Sequence, residues 1–282
     1  MARTIDLSEA FDLHRLALRD ALAHGDRDLG VHGARRAIKA LRALLRLVRP
    51  SGSDDPRRFQ VRALDAELKA LADALATARD LRVAAATALS LVDEVDDEAA
   101  RAALTRLAAE WLGEAARRET ASDHLGAEQA RRSEAAIAEH LAALPLSASR
   151  GDVARAVAGV YAKARRLLRT GLRADDPDVL HEARRNLVRL QIHVQALGPA
   201  LGGRMRKLGR QAGRLRQVLG EHHDLAELER RLDGSGVGSR LLGRLVHHVE
   251  ARAEALAETA ALQGGKALRR RPKAVRRKLK RA

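Results

Sequence analysis

His32, Arg35, Lys39, Arg42 and Arg46 recur at spacings of +3, +4, +3 and +4. On a helix turning 100° per residue they fall within about 80° of one another, so five basic side chains share one strip. No Asp or Glu occurs from 29 to 53. Surface helices ordinarily alternate Glu with Lys for i,i+4 pairs worth a few tenths of a kcal/mol, whereas like charges about 5–6 Å apart repel. An anionic ligand would convert that repulsion into binding. Arg36 stands beside the strip. A second set comprises His181, Arg184, Arg185 and Arg189, then Arg204, Lys207, Arg210 and Arg214, with no acid between Ala183 and Gly220. Val188 and Gln191 stand where the first set has Lys39 and Arg42, which weakens the second row. In the segment after the first row, Lys69 is the cation on offer among Asp65, Glu67 and Asp73. A single charge run on a helix is ordinarily a solvated face. Two runs that both open on His, the first without an acid and the second with none from Ala183 onward, point to a ligand.

The elements that carry these rows must be helices. Ala, Leu, Arg and Glu dominate, β-branched and aromatic residues are few, and the six prolines fall at breaks. Helices are predicted near 6–23, 28–48, 57–78, 81–94, 97–122, 127–143, 150–172, 177–198, 204–218, 222–233 and 237–260. Val31, Ala34, Ile38, Leu41, Leu45 and Val48 form an apolar stripe beside the first basic row, as a core-facing helix requires. The segment 31–38 matches 180–187 with His32 on His181 at an offset of 149, and Leu71, Leu75, Asp80 and Leu81 match Leu215, Leu219, Asp224 and Leu225 at an offset of 144. The expectation is an all-α protein of two antiparallel helical bundles, 1–146 and 147–262, related by an internal pseudo-two-fold repeat. A basic, flexible tail, 263–282, would follow.

Composition narrows the chemistry. Of the formal charge of +16 in 282 residues, the segment 264–282 supplies +10, with ten Lys or Arg and no acid. The absence of cysteine removes disulfides, thiolate chemistry and thiolate metal sites. No apolar run reaches the ~18 residues of a transmembrane helix, and residues 1–16 lack the apolar core of a secretory signal, so a cytoplasmic location with no membrane partner is expected. Asp65-Ala66-Glu67-Leu68-Lys69 resembles the acid-x-acid-x-Lys motif of triphosphate tunnel enzymes, but on a helix its acids point apart. His222-His223 and His247-His248 lack the i,i+4 spacing of a metal pair, and the glycines at 234–238 follow a helix instead of a strand. Neither a nucleophile nor a catalytic carboxylate pair stands out. No enzyme, cofactor or metal site is expected.

The run V-H-G-A-R-R-A-I-K-A-L-R-A-L-L-R-L at 31–47 resembles the signature helix of CHAD domains, the conserved-histidine α-helical domains, as does L-H-E-A-R-R-N-L-V-R-L at 180–190. A-T-A-R-D-L at 76–81 and L-G-E-H-H-D-L at 219–225 resemble that family's helix-end motifs. The likeness spans roughly 5–260. It implies two bundles with a basic groove or pore between them that binds inorganic polyphosphate, and a location at polyphosphate granules. The rows at 32–46 and 181–189 would line that groove. A linear polyphosphate offers repeated anionic oxygens, which Arg takes in a fork and Lys as a point charge. Single-strand binders add aromatic platforms worth roughly 1–3 kcal/mol per base, and none of Phe11, Phe59, Trp111 and Tyr161 falls in either row. The competing reading is a nucleic-acid binder that uses the tail. Binding is expected to strengthen from pH 8 to pH 6 if His32 and His181 titrate near their ordinary value of about 6.5.

Overall fold

The computed structural model describes residues 4–50, 52, 54–75, 79–198, 201 and 203–281; the side chains of 27–28, 79, 119–127, 204 and 281 lie outside that description. As composition predicts, the chain is all-helical, with two three-residue strands. β1 (Thr4–Asp6) pairs antiparallel with β2 (Ser147–Ser149), Ile5 opposite Ala148. Such short strands carry too little alternation to be read in advance.

α1 (Ser8–Leu22) and α2 (Arg27–Val48) form a hairpin, and Asp26 caps α2 by accepting from the Leu29 amide at 3.0 Å. The predicted apolar stripe of α2 is buried from Ala34 through Ile38, Leu41 and Leu45 to Val48. α3 (Arg57–Ala74) and α4 (Arg79–Val92) follow; residues 76–78, part of the motif at 76–81, lie outside the described residues. α5 (Glu98–Ala143) is one helix where two were expected. α6 (Arg150–Ala174) starts on a Ser149 cap, and α7 (Pro177–Ala196) starts on an Asp176 cap with proline in its first turn. α8 (Gly203–Leu232) also fuses two expected helices. Gly220 does not break it, because its missing side chain serves packing: a Cβ there would sit 3.3 Å from Arg184 Nε, and one on Gly209 would sit 2.7 Å from Val194 Cγ1. α7 and α8 lie close for that reason.

α9 (Ser239–Ala267) and α10 (Pro272–Arg281) correct the expectation of a flexible tail. α10 buries Val275 and Leu279, and the Tyr161 hydroxyl of α6 donates to the Arg270 carbonyl at 3.0 Å. Two apolar residues four apart give this basic segment a seat on α6.

The apolar side chains do not pool as two separate bundles divided at 146/147. The larger core joins α1, α2, α3, the end of α5, α6, α7, the first half of α8, the end of α9 and α10. The smaller joins α4 and the start of α5 to the end of α8 and the start of α9, through Leu91, Leu104, Leu107, Leu228, Leu232 and Leu245. Each core draws on both halves. α2 and α7 touch directly, and the buried His193 Nε2 lies 2.8 Å from the Ala43 carbonyl. A carbonyl only accepts, so Nε2 carries the proton and His193 pins α7 onto α2. Among the described residues no helix is long and apolar enough to cross a membrane.

Candidate anion-binding cleft

A cleft of about 490 Å³ opens where the C-terminal end of α2 meets α6 and α7. Arg46 and Arg49 enter from α2, Arg155 and Lys163 from α6, and Arg189 from α7, with Asp152 and Glu182 as the carboxylates. Five cations against two carboxylates leave the lining at +3. Both carboxylates have local duties. Asp152 accepts from Ser149 Oγ at 2.6 Å and from Arg155 at 2.9 Å, at the capped start of α6. Glu182 is shared by Arg185 at 3.0 Å, Lys163 at 3.7 Å and Arg189 at 3.8 Å. Among the described residues Arg46 and Arg49 form no ion pair.

Burial, and after it the crowding of like charges, lowers the pKa of two arginines of the lining. Burial first, then the charge of Arg46, lowers Arg189 to about 10, with Arg185 and Arg42 adding and Glu182 opposing. Arg49 is lowered by burial and then by Arg58, Arg62 and Arg46, against Asp65. Arg189 therefore keeps its charge at neutral pH while repelling its neighbours. An anion seated among them relieves that repulsion.

Of the residues expected from sequence, Arg46 and Arg189 line the cleft. Lys39 and His32 are exposed along α2. Arg35 and Arg42 turn to α3 instead: Arg35 Nη1 donates to the Ala72 carbonyl at 2.8 Å, and Arg42 grips both oxygens of Asp65 at 2.7 and 3.2 Å. The row free of acids in sequence is therefore not free of them in space, because α3 packs its own carboxylate alongside. Arg36 is exposed on the side of α1, where its charge adds to burial in lowering His14. Lys69 is exposed and pairs with Asp73 at 3.2 Å, an i,i+4 surface pair of little stabilising weight. Lys207, Arg210 and Arg214 are exposed on α8 and do not line the cleft; the side chain of Arg204 lies outside the described residues. Asp65 and Glu67 face different helices, Glu67 meeting His140 at 2.9 Å on α5. Arg49, Arg155 and Lys163 were missed. Arg49 continues the first row at +3 from Arg46, so spacing could have found it, whereas the α6 cations become partners only through packing.

His181 packs against His223 with ring centroids 3.8 Å apart and the rings tilted by 38°. Burial chiefly, then His223, Arg184 and Arg185, lowers His181 to about 4, and burial with Arg184 and Arg230 lowers His223 to about 4. His181 is therefore neutral from pH 8 to pH 6 when no anion is bound. His222 is buried beside them, and among the described residues no group of three or more His, Asp or Glu could hold a metal ion.

No curated protein and no solved structure matches the chain. The CHAD domain family matches residues 9–233, from the second residue of α1 to the end of α8. With that match spanning most of its length, the chain belongs to the CHAD domain family.

Proposed function

We propose that this protein binds inorganic polyphosphate, without catalysis, in the cleft between α2, α6 and α7, and so docks on polyphosphate or its granules. The observation that carries the reading is the meeting of Arg46 and Arg49 from one His-headed helix with Arg189 from the other, at a net lining charge of +3. In this reading the two halves are related by a pseudo-two-fold axis through the α2–α7 crossing. Support comes from the register: Ala43 of α2 meets His193 of α7, and at the offset of 149 their counterparts are Ile192 and Leu44. Near-equivalent positions thus face each other, as a two-fold crossing requires. The groove is lined by guanidinium and ammonium groups with no aromatic side chain, which suits a chain of bare phosphates.

One observation favours nucleic acid as a second reading. Phe59 is 77 % exposed on α3, one turn from Arg62, and could stack a base. Calorimetric titration of long-chain polyphosphate and of single-stranded RNA at matched salt separates the two. Arg46→Ala/Arg189→Ala should weaken polyphosphate binding on the order of 10-fold or more, and Phe59→Ala should leave it unchanged. Unaltered polyphosphate affinity in the double variant, or RNA binding that collapses in Phe59→Ala, would overturn the reading. Arg35 and Arg42 are poorer test positions, because each also ties α2 to α3.

A further inference from the structure

We propose that a polyphosphate chain seated in the cleft continues across α6 onto α10, a second phosphate-binding surface outside the family match; this rests on the polyphosphate reading above. α6 carries seven Lys or Arg against one carboxylate, Asp152. Lys163, Arg166 and Arg169 follow one another at +3. Each such step turns 60° around the helix and climbs about 4.5 Å, so the row winds away from the cleft. Lys163 lines the cleft at its start. Arg165, one turn below Arg169 on the side of α6 that the row reaches, donates Nε to the Leu268 carbonyl at 2.9 Å, where α9 gives way to α10 and the chain turns back along α6 toward Tyr161.

α10 is built to present charge. Val275 and Leu279 are 1 % and 4 % exposed against α6, while Lys273, Arg277 and Lys280 face solvent. The charges of Arg165, Arg270 and Arg269 all reach the Tyr161 hydroxyl, so α6 and the start of this segment gather cations around one point. Nothing nearby in sequence neutralises them, because the last carboxylate in the chain is Glu258. Tyr161 is the sole aromatic after Trp111 and is fully buried, so the surface offers phosphate contacts and no platform for bases. α9 and α10 lie wholly beyond residue 233, where the family match ends.

A ligand long enough to occupy both surfaces gains from the second as an intramolecular event. The test compares a short polyphosphate, sized to the cleft, with a long one, using the full chain and Lys273→Ala/Arg277→Ala/Lys280→Ala. These substitutions keep Val275 and Leu279, and unchanged melting verifies that α10 stays docked. The parent should bind the long chain tighter than the short one by on the order of 10-fold or more. The variant should lose that margin while binding the short chain as before. A margin that survives in the variant overturns the track alone. Short-chain binding that ignores Arg46→Ala/Arg189→Ala overturns the cleft reading and the track with it. An equal margin for single-stranded RNA at matched salt overturns the assignment of α10 to polyphosphate.

Discussion

His181, His193 and His223 all resist protonation to about pH 4, and burial leads the causes in each. His193 is the cleanest case, being fully buried at the α2–α7 crossing, with the Ala43 carbonyl working the other way and the charges of Arg46 and Arg189 adding to burial. A histidine whose folded pKa lies below its unfolded value of about 6.5 stabilises the fold fully above that value, and the contribution is lost as pH falls toward the folded pKa. Stability should therefore decline from pH 6.5 to pH 4.5. His193 alone accounts for at most about 3 kcal/mol by pH 4, from its shift of two and a half pH units at 1.36 kcal/mol each. Urea unfolding across this range should show a shallower decline in His193→Gln than in the parent, by close to one proton's worth of slope. Equal slopes would show that the buried imidazole is not the group being titrated. The same cluster explains why a histidine at a helix start did not behave as sequence suggested. The contact of His223 with His181 depends on α8 lying against α7, and no spacing within α7 reports it.

At the scale of elements, the glycines of α8 decide how closely α7 can lie. Gly209→Ala puts a methyl group against Val194, whose β-branched side chain has little freedom to move, and should destabilise the protein by about 1–3 kcal/mol. Gly243 of α9 is exposed, with nothing within 4 Å of a Cβ, so Gly243→Ala should instead stabilise by about 0.5–1 kcal/mol. Thermal melts of the two variants should move in opposite directions; a shift of the same sign would refute the packing argument. These glycines also show where reading from sequence ran out. Gly220 looks like a helix stop until its neighbour is known to be Arg184, and so α8 reads as two helices. α10 reads as a charged tail because Val275 and Leu279 are only two apolar residues among many cations. By contrast, α2 was legible along its length: its buried stripe, its Asp26 start and its end before Pro50 all follow from local pattern. For the cleft, spacing picked out Arg46 and Arg189 but could not supply Lys163, Arg155 and Asp152 of α6, or the Asp65 of α3 that holds Arg42. Those belong to neighbouring helices, and their roles are set by tertiary packing.

Taken as a whole molecule, a chain with a formal charge of +16 attracts any polyanion at low salt. Affinity by itself therefore says little about where binding happens, and a decisive variant must alter the cleft while sparing the fold. Gly159 meets that need. It lines the cleft from α6, a Cβ there would meet nothing within 4 Å, and a helix interior favours either Ala or Glu over Gly by roughly 0.5 kcal/mol or more. Gly159→Ala is the neutral control, and Gly159→Glu adds one negative charge among Arg46, Lys163 and Arg189. The most direct test is titration of polyphosphate into these two variants and the parent, each with its melting curve. Both variants should melt at or above the parent. Gly159→Ala should bind as the parent does, and Gly159→Glu should bind on the order of 10-fold more weakly at low salt, as a single repulsive charge at close range implies. Equal affinities for Gly159→Glu and Gly159→Ala would contradict the account, because phosphate would then be held somewhere other than this cleft.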